Sequence, residues 1–122
     1  MTEPLQRRRV LFIEDEPALR FSYERYFRDR YDLAFAATGA EALAQLRTVR
    51  PDVLVLDMRL PDTDGVDLLR RVREERPTIP VFVTTAYISM EPRLRVLDLA
   101  FEGYLVKPFE LRELGDRIDA LA

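Results

Sequence analysis

Five short apolar runs, separated by segments of helical period, limit what this chain can fold into more than any other feature. Val10-Leu11-Phe12-Ile13, Val53-Leu54-Val55-Leu56 and Val81-Phe82-Val83 are unbroken and rich in β-branched residues, as expected of strands buried on both faces. Tyr31 to Ala36 carries Asp32 within the run and reads as an edge strand. Tyr104-Leu105-Val106 is short and stops at Pro108, which suits the opposite edge.

Five helices are expected between and after these runs. The first spans about Pro17 to Arg28, with proline in the favoured first turn. Thr38 and Glu41 form a capping-box pattern ahead of Leu43 and Leu46. Asp64 is placed to cap a third helix whose inner side includes Leu68 and Val72. A fourth covers about Met90 to Ala100. The last sets Leu111, Leu114, Ile118 and Leu121 along one face. The sum is (βα)5, an α/β architecture whose parallel five-stranded sheet takes helices on both faces as a three-layer sandwich. No repeat and no Pro- or Ser-rich linker divides the chain, so residues 1–122 read as one domain, with about 1–8 as an N-terminal extension.

Composition removes several function classes. The 122 residues include no cysteine and no histidine. Disulfides, thiolate metal sites, phosphohistidine and Ser-His-Asp chemistry are therefore excluded. A net charge of −3 gives no basic footprint for nucleic acid. No apolar run approaches the roughly 20 residues that span a bilayer, and the arginines near the start precede no secretory apolar stretch. A cytoplasmic location is expected. Of the 19 basic residues, one alone is a lysine, Lys107. A lysine surviving such an arginine bias marks a place where a compact point charge serves better than a planar fork.

In a sheet of this kind, ligands bind beyond the carboxyl ends of the strands. Those ends are polar here: Glu14 and Asp15 after strand 1, Asp57 after strand 3, Thr84 and Thr85 at strand 4, Lys107 after strand 5. Each alone is as well explained by a helix cap or a solvated loop. Convergence on one rim is harder to explain that way. Three carboxylates together raise one another's pKa unless a cation intervenes. Hard oxygen ligands point to Mg²⁺, with Asp15 and Asp57 as ligands and Glu14 acting directly or through water. A carboxylate can also act as nucleophile and form an aspartyl-phosphate, a transfer that needs alignment and charge neutralisation. Mg²⁺, the Lys107 ammonium and the Thr85 hydroxyl would serve the three phosphoryl oxygens.

These residues resemble the response-regulator receiver family over essentially the whole chain. The resemblance rests on Val10–Pro17 (VLFIEDEP), Pro51–Leu69 (PDVLVLDMRLPDTDGVDLL), Val83–Tyr87 (VTTAY) and Gly103–Phe109 (GYLVKPF). It implies a flavodoxin-like fold, strand order 2-1-3-4-5. It further implies that Asp57 accepts phosphate from the phosphohistidine of a cognate histidine kinase or phosphotransfer protein. Glu14 and Asp15 would be the acidic pair for Mg²⁺, with Mn²⁺ as a possible substitute, and the backbone carbonyl of Arg59 would complete the metal shell. Lys107 would contact the phosphoryl group, as would the backbone at Met58 and Ala86, and the bond to Pro108 would be cis. Thr85 and Tyr104 would switch together, while Thr84 packs.

The same resemblance places the readout on the fourth helix, strand 5 and the fifth helix, toward an output domain or effector, with homodimerisation on activation possible. Val96 and Leu99 lie off the Leu94–Leu97–Phe101 stripe; they are either exposed apolar groups for docking or part of a broad buried face. Phe21, Tyr23, Tyr26 and Phe27 on the first helix are either core or kinase contacts. Two departures stand out. Ala100-Phe101 replaces a frequent Gly-Ala before strand 5, which makes a φ > 0 turn harder to form. The bulky Arg59 and Tyr87 flank the expected phosphoryl site and are assigned a role in tuning its lifetime.

Such a protein is not an enzyme on outside substrates; it catalyses only its own phosphorylation and slow dephosphorylation. A haloacid-dehalogenase-type phosphatase needs a second aspartate two residues after the nucleophile, where Arg59 stands. A phosphorylation-independent receiver usually lacks one of the acidic pair, the aspartate or the lysine, all present here. A flavodoxin would need a phosphate-cradling Ser/Thr/Gly run after strand 1, and none is there.

Overall fold

The computed structural model describes residues 7–86 and 99–121. Five parallel strands, β1 (Arg9–Ile13), β2 (Asp32–Ala36), β3 (Val53–Asp57), β4 (Val81–Thr85) and β5 (Gly103–Val106), form one sheet of order β2-β1-β3-β4-β5. Four helices belong to the described residues: α1 (Pro17–Phe27), α2 (Gly39–Thr48), α3 (Gly65–Glu75) and α4 (Leu111–Asp119). The helix expected over about 90–100 falls largely on residues 87–98, outside the described residues; its last two positions, Leu99 and Ala100, are not helical.

Side-chain alternation along the strands builds two cores. Leu11, Ile13, Leu54, Leu56, Val81 and Val83 face α2 and α3, meeting Leu43, Leu46, Leu68, Leu69 and Val72. Val10, Phe12, Val53, Val55, Phe82 and Leu105 face α1 and α4, meeting Tyr23, Phe27, Leu114 and Ile118. Each such aliphatic or aromatic side chain contributes about 1.5–3 kcal/mol when fully removed from water. β3 is buried along its whole length, which is why its sequence is continuous rather than alternating. β2, at an edge, is only partly covered.

Local signals account for the helix starts. The Thr38 hydroxyl accepts from the Glu41 amide, and the Glu41 carboxylate reaches back to the Ala37 amide, one residue before the usual partner. Asp64 accepts from the Val66 amide. Pro17 opens α1. Arg50, just past α2, has φ 54°, a left-handed position more often held by glycine.

Several expectations about packing resolve here. Of the α1 aromatics, Tyr23 and Phe27 are core, whereas Phe21 and Tyr26 are exposed at 61% and 41%. Leu99 is half-buried against the α2/α3 core, as is Phe101. The Ala100-Phe101 turn uses no positive φ; instead the Arg73 guanidinium donates to the Ala100 carbonyl and the Glu102 amide bonds Val81. The Arg8 carbonyl pairs with the Asp32 amide, and its guanidinium donates to the Ile118 and Leu121 carbonyls at the end of α4.

Candidate functional site

Glu14 and Asp15 follow β1 directly, and the Glu14 amide continues the ladder by donating to Ala36. Asp57 is the last residue of β3, flush with the neighbouring strand ends. Because the strands are parallel and in register, these carboxylates emerge side by side. Glu14 and Asp57 are 1% and 5% exposed, while Asp15 is open to solvent. One ligand oxygen from each lies within 4.8 Å of the others.

Lys107 enters from the loop after β5. Its Nζ donates to Glu14 Oε1 at 2.8 Å and to Asp57 Oδ2 at 3.3 Å. The lone lysine of the sequence thus sits among the acidic groups that require a counter-charge. Burial pushes the Glu14 carboxyl above its ordinary range; the Lys107 hydrogen bond opposes this and the charge of Asp57 adds to it. Burial acts to lower Lys107, but the Glu14 hydrogen bond and the charges of Asp57 and Glu14 outweigh it, so the ammonium is held more firmly.

A cavity of about 300 Å³ opens over these groups, lined also by Arg59, Leu60, Thr85 and Ala86. Its β3–α3 wall is fixed by several bonds. Arg59 pairs with Asp64 as an antiparallel bridge, and the Gly65 amide donates to the Met58 carbonyl. Asp62 accepts from the Gly39 and Ala40 amides at the start of α2, and these bonds hold its carboxyl below the usual range. Glycine is required at 65, since a Cβ there would lie 2.4 Å from Met58 Cα. Sequence reasoning missed these loop anchors; the Asp-Gly pair is their visible trace.

The remaining site residues fall as follows. Thr85 is buried on the cavity wall, and its carbonyl accepts the Lys107 amide at 2.7 Å. Tyr104 is half-buried on β5, its ring 6.4 Å from that of Phe101. The Lys107–Pro108 peptide is cis. The Met58 amide is engaged with the Thr84 carbonyl at 3.0 Å, inside the sheet. The amide directed at the Asp57 carboxylate is that of Arg59, at 3.3 Å. Thr84 does not line the cavity but shares a register position with Asp57. Tyr87 lies outside the described residues.

The family described as response regulator receiver domain matches residues 10–119. This chain belongs to that family. Among curated relatives, the transcriptional regulatory protein TrcR of Mycobacterium tuberculosis is 42% identical over 114 residues, 93% of this chain and 44% of its own length. The response regulator MprA of Mycobacterium avium is 39% identical over 114 residues, 93% of this chain and 50% of the relative. The receiver domain therefore spans about half the length of these curated relatives. Among solved structures, a CheY-like receiver domain protein from Methanospirillum hungatei superposes with TM-score 0.86 at 28% identity, covering 93% of this chain and 92% of that one. The receiver domain of sensor histidine kinase PA1611 from Pseudomonas aeruginosa, solved with magnesium in its active-site cleft, gives TM-score 0.79 at 28% identity, covering 90% and 93%. The chain is thus a CheY-like receiver of two-component signalling. No helix among the described residues is long and apolar enough to cross a membrane.

Proposed function

We propose that this receiver domain is a Mg²⁺-dependent phosphoacceptor in which Asp57 takes a phosphoryl group from the phosphohistidine of a cognate kinase or phosphotransfer protein. The observation that carries this reading is the meeting of Glu14, Asp15 and Asp57 with the single lysine of the chain. Three hard oxygen donors within 4.8 Å of one another suit a small divalent cation. Asp15 and Asp57 would hold it, Glu14 directly or through water, with the Arg59 carbonyl as a further donor; Mn²⁺ would substitute. The magnesium seen in the cleft of the PA1611 receiver supports this choice. When bound, the cation neutralises phosphoryl oxygen charge.

The chain's own groups do the rest. An Asp57 oxygen attacks phosphorus as the bond to the donor imidazole nitrogen breaks, and the imidazole leaves to take up a proton. Lys107 moves from its carboxylate partners toward a phosphoryl oxygen, and the Thr85 hydroxyl and the backbone at Ala86 serve the others. The phosphoryl group adds about two negative charges. Their contacts with Thr85 and Lys107 bias two conformations, with Tyr104 turning inward as Thr85 moves. A shift from 1:99 to 99:1 needs about 5.5 kcal/mol of differential stabilisation, which a few charge-assisted hydrogen bonds supply. The altered face comprises the segment at about 90–100, β5 and α4, presented to an output domain or effector, with homodimerisation as one form of output. Direct nucleic-acid or membrane contact is assigned no part, and the setting is cytoplasmic. Hydrolysis is limited to the domain's own phosphoryl group, because no second carboxylate stands at Arg59 to act as base.

Incubation with acetyl phosphate and Mg²⁺ tests this. The parent should gain one phosphoryl mass and Asp57→Ala none. Equal behaviour of the two, with intact fold, would favour a phosphorylation-independent interaction module instead.

A further inference from the structure

Among the described residues, three buried side-chain polar atoms lack a hydrogen-bond partner: Arg20 Nε, Tyr23 Oη and Thr84 Oγ1. The Arg20 guanidinium lies over the Phe35 ring, which accounts for it. The other two hydroxyls lie close enough to interact weakly with each other, which eases the Tyr23 phenol slightly downward, but the contact falls short of full hydrogen-bond geometry. Both residues are 1% exposed.

Their position is informative. Thr84 of β4 is the register partner of Asp57 on β3, so both side chains leave the sheet on the same face. Tyr23 of α1 covers that face, its ring stacked on Phe12 at 4.4 Å. A phenylalanine would fill the same ring site and a valine the same strand site, without burying an unpaired hydroxyl. Burial, then the charges of Glu14 and Asp57, push the Tyr23 phenol far above its ordinary range, so it is always a donor.

We infer that Tyr23 and Thr84 are positioning residues beneath the phosphoryl site, a hydroxyl pair that donates to the buried Glu14 carboxylate and to the remaining carboxyl oxygen of Asp57 when Lys107 leaves them. In the present state Lys107 satisfies Glu14 and Asp57. Its departure toward a phosphoryl oxygen strips a donor from the Glu14 carboxylate and from the Asp57 oxygen not bonded to phosphorus, both of which water barely reaches. The phenol and threonine hydroxyl take over as donors from below. The unpaired hydroxyls are then a feature of the resting state alone, and ligand binding satisfies them.

This inference rests on the phosphoacceptor reading, and the test separates the two. Calorimetric titration of Mg²⁺ with beryllofluoride, alongside thermal unfolding without ligand, would compare parent, Tyr23→Phe, Thr84→Val and Thr84→Ser. The expected result is beryllofluoride binding weakened roughly tenfold or more in Tyr23→Phe and Thr84→Val, from loss of a charge-assisted hydrogen bond. Both should unfold no earlier than the parent, and Thr84→Ser should restore affinity. Lower unfolding temperatures with unchanged affinity would make the hydroxyls merely structural and overturn the proposal. Absence of beryllofluoride binding by the parent itself would overturn the phosphoacceptor reading and this inference with it.

Discussion

Replacing Lys107 by methionine keeps much of the side-chain volume and removes the positive charge that, among the described residues, is hydrogen-bonded to both Glu14 and Asp57. With an effective dielectric of about 20, Coulomb's law gives roughly 6 kcal/mol for the 2.8 Å contact and roughly 5 for the 3.3 Å one. Most of that attraction is offset by desolvation of the three groups. Breaking a buried pair nevertheless costs about 3–5 kcal/mol, because the stranded charge stays buried. The rim is open on one side, so we expect about 3 kcal/mol, or roughly 10 °C in Tm for a domain of this size.

The pH dependence carries a sign. Glu14 is already raised above 4.5, so the folded state holds its proton more tightly than the unfolded one. Without Lys107 it rises further. A group raised in this way costs stability once ionised, so the deficit of Lys107→Met should shrink as pH falls from about 7.5 toward 5. Mg²⁺ should act in the same direction. The variant's carboxylates carry one more uncompensated negative charge, so the cation binds more tightly and adds more stability than in the parent. Urea and thermal unfolding at both pH values, with EDTA or Mg²⁺, measure all three effects. A deficit equal at pH 5 and 7.5, or equal Mg²⁺ increments in parent and variant, would refute the electrostatic reasoning.

Three further outcomes follow from named contacts. Thr38→Ala, which removes the cap on Glu41, should cost about 1 kcal/mol in urea unfolding with the phosphoryl site unaffected. Gly65→Ala forces Cβ against Met58 backbone, so it should lower Tm and weaken Mg²⁺ binding by displacing the β3–α3 wall; a well-folded variant with normal metal affinity would show that the loop yields freely. Arg59→Ala opens the cavity wall and should speed loss of the phosphoryl group in single-turnover dephosphorylation, whereas an unchanged rate would remove Arg59 from control of its lifetime.

The sheet was legible because strands buried on both faces leave continuous apolar runs, and every one of β1, β3 and β4 shows this. The capping roles of Thr38 and Asp64 were legible because a cap acts within three residues of itself. The acidic cluster followed from strand ends alone, since a parallel sheet brings its carboxyl ends to one rim. Sequence separation hid the rest. The family resemblance implies a phosphoryl contact for the Met58 backbone, whereas the bond of its amide to Thr84 depends on how far β3 and β4 pair. The division of the α1 aromatics into core (Tyr23, Phe27) and exposed (Phe21, Tyr26) depends on how the helix is rotated on the sheet. Arg8, capping carbonyls 110 and more residues away, gives no local signal at all.

Central to this account is a buried carboxylate that accepts a dianion only because a divalent cation and one ammonium group offset it. Borohydride trapping of the acyl phosphate after acetyl phosphate treatment, followed by peptide mass spectrometry, locates the modified residue. The account predicts label at Asp57 alone, present with Mg²⁺, lost with EDTA and strongly reduced in Lys107→Met. Label at Asp15 or Glu14, or equal label at Asp57 in EDTA, would contradict it.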